Sequence, residues 1–337
     1  MTDGALPRMR GLILTGIVVA VTAAVVLFGL NAYAAHVSAR DTAPPVAQAD
    51  LATVRADPHI VFRSTASGAD HGRVALVPLT DPDGPRAITG ATCDRVYAAA
   101  GQATCLRTER GVVTTFQGSL LDASWNEVAS WPLAGLPSRT RMSSDGSLIA
   151  TTSFVTGHSY AGTGFSTRTE VRTTAGRDYG SIEDFTLLVD GTEYDAVDRN
   201  MWGVTFTGGD GFYATAASAG RTWLVRGDLE ERTLSAVREN AECPSISPDG
   251  ERVAYKKSRG DGEWAIAVLD LATGRERMLG EARSVDDQPE WLDDDTVLYG
   301  LPRADEAGVT DVWAIDLAPG AEPRVLIPQA WSPSVVR

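Results

Sequence analysis

The chain has 337 residues, 43% of them hydrophobic, 22% charged and 7% aromatic. That balance excludes wholesale disorder and a collagen-like chain, and the length is ample for a sizeable core. A net charge of −14 argues against nucleic acid as a partner, because neutralising phosphates needs clustered Lys and Arg. Lys256 and Lys257 are the two lysines, and every other basic residue is Arg. Thirty-three glycines and seventeen prolines, spread along the chain, point to many short elements joined by turns.

Residues 1–10 read as a short cytoplasmic N-terminus, and residues 11–33, GLILTGIVVAVTAAVVLFGLNAY, as a transmembrane helix. An uncharged apolar run longer than about 18 residues can cross a bilayer. Arg8 and Arg10 stand before it and few basic groups follow, so the positive-inside preference places the remainder outside the cytoplasm. The rival is a secretory signal cut near Ala34, since Ala32-Tyr33-Ala34 has the small-x-small form of a cleavage site. The run exceeds the roughly 7–15 apolar residues usual for a signal, which favours a single-pass anchor. Residues 34–56, rich in Ala, Pro and polar groups, read as an extended linker.

From residue 57 to 337 the chain repeats. Pro244–Gly280 and the segment from Pro289 share one frame: Pro, an acidic turn, an apolar strand ending in Tyr, a polar loop, then apolar-Asp-Leu. Tyr255 matches Tyr299, and Leu269-Asp270-Leu271 matches Ile315-Asp316-Leu317, at a period of about 45 residues. In an earlier copy, Tyr213 and Asp228 both stand 42 residues before Tyr255 and Asp270. Four short strands per unit at this spacing predict an all-β, six-bladed propeller. Blades fall near 59–90, 91–136, 137–195, 196–238, 239–283 and 284–330. The first lacks its opening strand, and the tail 331–337 is expected to supply it and close the ring.

Pro244-x-x-Ser-Pro-Asp-Gly250, followed by Val253-Ala-Tyr255 and Leu269-Asp-Leu-x-x-Gly274, resembles the repeat of TolB-type β-propellers. An anchor stands where that family has a small α/β domain, so the chain is similar to a membrane-anchored, actinobacterial-type variant. The resemblance implies an extracytoplasmic module that binds a protein or peptide at the cell envelope. The repeat motif builds turns and is nearly silent on activity.

Cys93 and Cys105 end a strand–turn–strand and are expected to form a disulfide, which persists outside the cytoplasm. Cys243 has no nearby partner in sequence and reads as a small buried residue. The long excursion from Phe154 to Arg172 offers His158, Tyr160, Phe165, Arg168 and Arg172 as a partner-binding loop, a mixture of aromatic and cationic groups typical of interfaces. Gly157–Gly162 superficially resembles a hydrolase nucleophile elbow around Ser159, but Ala161 stands where Gly is required. The acidic run at 286–295 offers carboxylates to calcium, but it lacks the ligand alternation and Gly placement of a calcium loop, and solvated turn acids explain it better. His36, His59, His71 and His158 lack metal-ligand spacing. With no phosphate-binding or dinucleotide fingerprint, no catalytic residue, metal or cofactor is expected.

The leading expectation is thus a monomeric, anchored propeller that binds an envelope protein or peptide. The alternatives are a hydrolase or lyase using the loop face or channel, and a sensor of a small ligand. Converging His, Asp and Glu in the central mouth would favour the enzyme, and an apolar or aromatic loop face the binder.

Overall fold

The computed structural model describes residues 5–42, 46–155 and 166–337. The N-terminal helix runs Ala5–Thr42. Its apolar stretch, Ile13–Ala34, is long and apolar enough to cross a membrane, and its side chains are exposed. At 1.5 Å per residue it measures about 33 Å, close to the hydrocarbon thickness of a bilayer.

Residues 46–337, apart from 67–71, fold together as a second unit. Its sheets are six blades, each with strands in radial order. Blade 2 runs Arg95–Ala99, Gln102–Glu109, Thr115–Leu121 and Glu127–Pro132 from inside to outside, and blade 3 begins with Leu136–Met142. The innermost strands of blades 4, 5 and 6 are Asn200–Gly208, Glu242–Ile246 and Glu290–Trp291. Blade 1 takes its innermost strand from the C-terminus: Ala330–Val336 pairs antiparallel with His59–Ser64, placing Val336 opposite His59 and Val335 opposite Ile60. The tail closes the ring as the repeat pattern anticipates.

The repeated motif makes the turn between the first two strands of a blade. In blade 5 the Ser247 hydroxyl donates to Asp249 at 2.5 Å, and the Gly250 N–H donates to the Ser247 carbonyl at 2.9 Å. Gly250 takes a φ of +75°, a conformation that glycine adopts without penalty. Ser143, Asp145 and Gly146 repeat this arrangement in blade 3. The aligned tyrosines, Tyr213, Tyr255 and Tyr299, are buried on second strands.

Burial is divided among six seams, one between each pair of neighbouring blades. Leu106, Trp131, Met142 and Ile149 join blades 2 and 3. Met201, Phe212 and Trp223 of blade 4 meet Val171 of blade 3. Ile60, Phe62 and Ala330 of blade 1 meet Leu298, Val312 and Ile327 of blade 6, so the closing seam is as apolar as the rest.

Two segments differ from the sequence reading. Residues expected to lie in an extended linker instead form the helix Leu51–Ala56, capped by Asp50, which accepts from the Thr53 N–H at 2.8 Å. Val54 is buried against the seam of blades 1 and 2, so this short helix is held by packing. Blade 4 carries six strands where four are expected. Thr186–Val189 pairs parallel with its outer strand Thr233–Glu239, and Thr192–Glu193 folds back beside it. Leu187 is buried there, and the added hairpin covers an edge otherwise open to pairing.

Deleting 331–337 removes an innermost strand and one side of the closing seam. The melting temperature should fall by roughly 10 °C or more. A melting curve that superimposes on that of the full chain would contradict ring closure by the tail.

Candidate functional site

The inner strands begin on one face of the ring, which also carries the loops between second and third strands, because adjacent strands are antiparallel. Along the channel between the two faces stands a buried ion pair. Arg141 of blade 3 donates to Glu290 of blade 6, on the opposite side of the ring, and its other terminal nitrogen donates to the Pro289 carbonyl at 2.9 Å. The Tyr97 hydroxyl of blade 2 donates to Glu290 at 3.2 Å, and its ring lies under the Arg141 guanidinium at 4.7 Å. Burial opposes the charge on both partners. Glu290 is held above the usual carboxylate range, the Tyr97 phenol is pushed up to about 12, and Glu290 keeps Arg141 protonated. Gln288 bonds the Val204 and Pro244 carbonyls at 3.2 and 2.8 Å, tying blades 4 and 5 to the segment leading into blade 6.

On the inner-strand-start side, a cavity of about 420 Å³ is lined by Arg95, Arg139, Lys256, Glu242, Asp286, Phe154, Trp202, Trp264 and Trp331, among others. Two of its cations lie over aromatic rings: Arg95 over Trp331 at 5.0 Å and Lys256 over Trp264 at 4.5 Å. Lys256 also donates to Asp286 at 2.5 Å, and the Trp264 indole donates to Glu242 at 3.0 Å. Trp331 packs where Gly300 leaves room, since a Cβ there would lie 2.3 Å from its ring. Trp202, Glu242 and Trp264 also wall a shallower groove of about 920 Å³ that runs outward past Arg168, Glu183 and Arg221. In that groove the Glu183 carboxylate accepts from the Thr169 N–H at 3.0 Å, from Thr167 at 3.2 Å and from the Ser181 hydroxyl. Burial outweighs these bonds and pushes its pKa to about 7.

No family model matches the sequence, and no curated protein matches it. Among solved structures, TolB from Acinetobacter baumannii is similar over 83% of this chain, with a TM-score of 0.57 and 15% identity. The chain shares its fold with TolB. It spans 66% of the length of that TolB, slightly under two thirds. A TolB candidate from Agrobacterium tumefaciens is similar over 82% of this chain and 91% of its own, at 12% identity and a TM-score of 0.46. A puromycin-hydrolyzing peptidase of Mycobacterium tuberculosis is similar over 78% of this chain and 43% of its own, at 15% identity and a TM-score of 0.47.

Within this TolB-like ring, Cys93 and Cys105 form the expected disulfide, with Cα atoms 5.4 Å apart and both residues buried. Cys93 lies in the crossing from blade 1 to blade 2 and Cys105 on the second strand of blade 2, so the bridge pins that seam. Cys243 is a free, buried thiol beside the channel cavity. Of the proposed recognition loop, His158, Tyr160 and Phe165 lie outside the described residues, as does Ser159 of the elbow-like segment. Arg168 lines the groove and bonds Glu170 at 2.8 Å. Arg172 points elsewhere, lying over the Trp131 ring at 4.6 Å and facing Asp178 at 3.6 Å. The acidic run is divided: Asp286, Asp287 and Glu290 face channel cations, whereas Asp293 and Asp294 accept backbone N–H groups and Asp295 pairs with Arg252. No group of three His, Cys, Asp or Glu converges as a metal site among the described residues.

Sequence reasoning missed Arg95, Arg139, Trp202, Trp264 and Trp331. A signal was available, since Arg95 and Trp202 both stand near the beginning of an inner strand. Using it requires knowing that those beginnings share a face.

Glu290→Gln leaves Arg141 buried without a carboxylate and should cost about 3–5 kcal/mol in urea unfolding. Arg141→Met combined with Glu290→Leu should cost much less than the sum of the single changes; additive losses would contradict the pairing. Glu183 gives a pH signature of definite sign. Its folded pKa lies above the unfolded value, so its contribution is present below about 4.5 and is lost as pH rises through about 7. Glu183→Gln should therefore gain stability relative to wild type between pH 5 and 8; a constant difference across that range would refute the assignment.

Proposed function

We propose that the chain is a membrane-anchored, extracytoplasmic binding module whose loop face receives a protein or peptide, without catalysis. The observation that carries this reading is the aromatic mouth: Phe154, Trp202, Trp264 and Trp331 around the channel axis. Farther out, Val112 and Val113 in the blade 2 loop and Val197 before blade 4 are strongly exposed. Large aromatic groups with adjacent cations, set on a rigid ring, are what interface hot spots use. The apolar N-terminal helix supports an anchor, and the disulfide supports an oxidising compartment. The likeness to TolB supports the fold on which such a role is built. A second reading, a small-ligand sensor, draws on the enclosed size of the mouth cavity.

A photo-cross-linking amino acid placed at Val112 or Val197, in cells producing the full chain, should give a discrete adduct. The same probe at Val128, on an outer strand and also exposed, is the control. Adducts equal at all three positions, or none at Val112 and Val197, would refute the loop face as the binding surface.

A further inference from the structure

The channel mouth contains two buried guanidinium groups, and Arg95 has less compensation than its burial calls for. Arg95 begins the inner strand of blade 2, Arg139 sits midway along that of blade 3, and both line the same cavity. The carboxylate paired with Arg95 is Asp287, at 3.7 Å. Burial first, and then the nearby charge of Arg139, pulls the Arg95 pKa down to about 9, with Arg63 adding to the repulsion. Arg139 donates one N–H to the Ser138 carbonyl at 3.0 Å, while its Nε is buried without a partner. Burial opposes its charge, and Cys243, Asp287 and Asp286 together outweigh that burial and keep it protonated, although no carboxylate forms an ion pair with it among the described residues. The other channel cations have close carboxylate partners: Arg141 pairs with Glu290, although its Nε is also buried without a partner, and Lys256 pairs with Asp286. A planar fork with free donors suits a carboxylate, which accepts two N–H groups at once.

The surroundings specify what the carboxylate is attached to. Trp202, Trp264, Trp331 and Phe154 supply apolar walls, and the groove sharing Trp202 and Trp264 leads from the ring surface into the mouth. We propose that this mouth captures the free carboxylate of a chain with an apolar last residue, the carboxylate on Arg139 and Arg95, the apolar group among the tryptophans and the preceding backbone in the groove. This deepens the binding-module reading and rests on it: the partner would present its C-terminus. The same chemistry is available from a free aromatic carboxylate, and the probes separate the two sources.

The test uses the full chain in detergent micelles, with binding read by calorimetry. The probes are N-acetyl-Leu-Phe with a free carboxylate, the same peptide as its C-terminal amide, and phenylacetate. The acid should bind at least tenfold more tightly than the amide. Arg139→Gln should reduce that difference to less than twofold. Phenylacetate weaker than the peptide acid supports a peptide C-terminus, and equal affinity supports a free carboxylate at the same site. Acid and amide binding alike, neither binding, or an acid preference that survives in Arg139→Gln would overturn the proposal. Comparing acid and amide on the unaltered chain keeps the test valid if the variant misfolds. Cross-links at Val112 or Val197 that persist in Arg139→Gln, with no acid preference in wild type, would remove the carboxylate site and leave the binding module standing. Loss of those cross-links alone would do the reverse.

Discussion

The Arg141–Glu290 pair organises the centre of this ring. A propeller places its apolar contacts between neighbouring blades, so nothing in that packing joins blade 3 to blade 6 directly. The ion pair does so through the channel, and Tyr97 brings in blade 2. Removing two charges from water costs several kcal/mol each, recovered only when the geometry is good and the remaining donors are met. Glu290 and the Pro289 carbonyl together take both terminal nitrogens of Arg141, so the pair meets that condition at the fork and leaves only the buried Nε without a partner. It also sets the functional geometry, because the cavity holding Arg95, Arg139 and Lys256 lies on one side of it. Across it, Tyr97, Arg141 and Glu290 line a second cavity of about 640 Å³ at the opposite mouth.

The sequence's acidity takes on a spatial meaning here. A chain with a net charge of −14 gathers Arg95, Arg139, Arg141 and Lys256 along its axis, where several of the counter-acids are drawn in after them. Burial magnifies each of those interactions, whereas the excess of surface carboxylates is screened by water and salt. An anionic partner would meet a repelling exterior and an attracting centre. Binding there would depend on reaching the mouth, which favours narrow, extended groups over broad acidic surfaces.

Much of the fold was legible because turns repeat where side chains bond their own backbone. Ser247, Asp249 and Gly250 act over a few residues, so their spacing survives in the linear sequence, as do Tyr255 and Tyr299 one period apart. The disulfide was legible for the same reason, since Cys93 and Cys105 share a strand–turn–strand. The tail was legible through a deficit: blade 1 lacked an opening strand and residues 331–337 had no blade of their own. The six-stranded blade 4 was not, because Thr186–Val189 pairs parallel with a strand distant in sequence and carries no repeat landmark. Leu51–Ala56 was missed since its packing rests on buried Val54 and half-buried Leu51, too little for periodicity to register. The channel mouth was the hardest feature to read. Its residues come singly from separate blades, so none announces the others by spacing.

The pairing of His59 with Val336 also has a temporal side. These two strands are nearly the full length of the ring apart in sequence, and bringing them together carries a loop-closure entropy that local hairpins do not. A chain threaded out in order can form blades 2 to 6 while His59–Ser64 still waits for its inner neighbour. During that interval blade 1 presents an unpaired edge, the kind of surface that other extended chains join. Final closure is therefore the latest pairing in chain order: the strand that opens the ring stays exposed until Ala330–Val336 covers it.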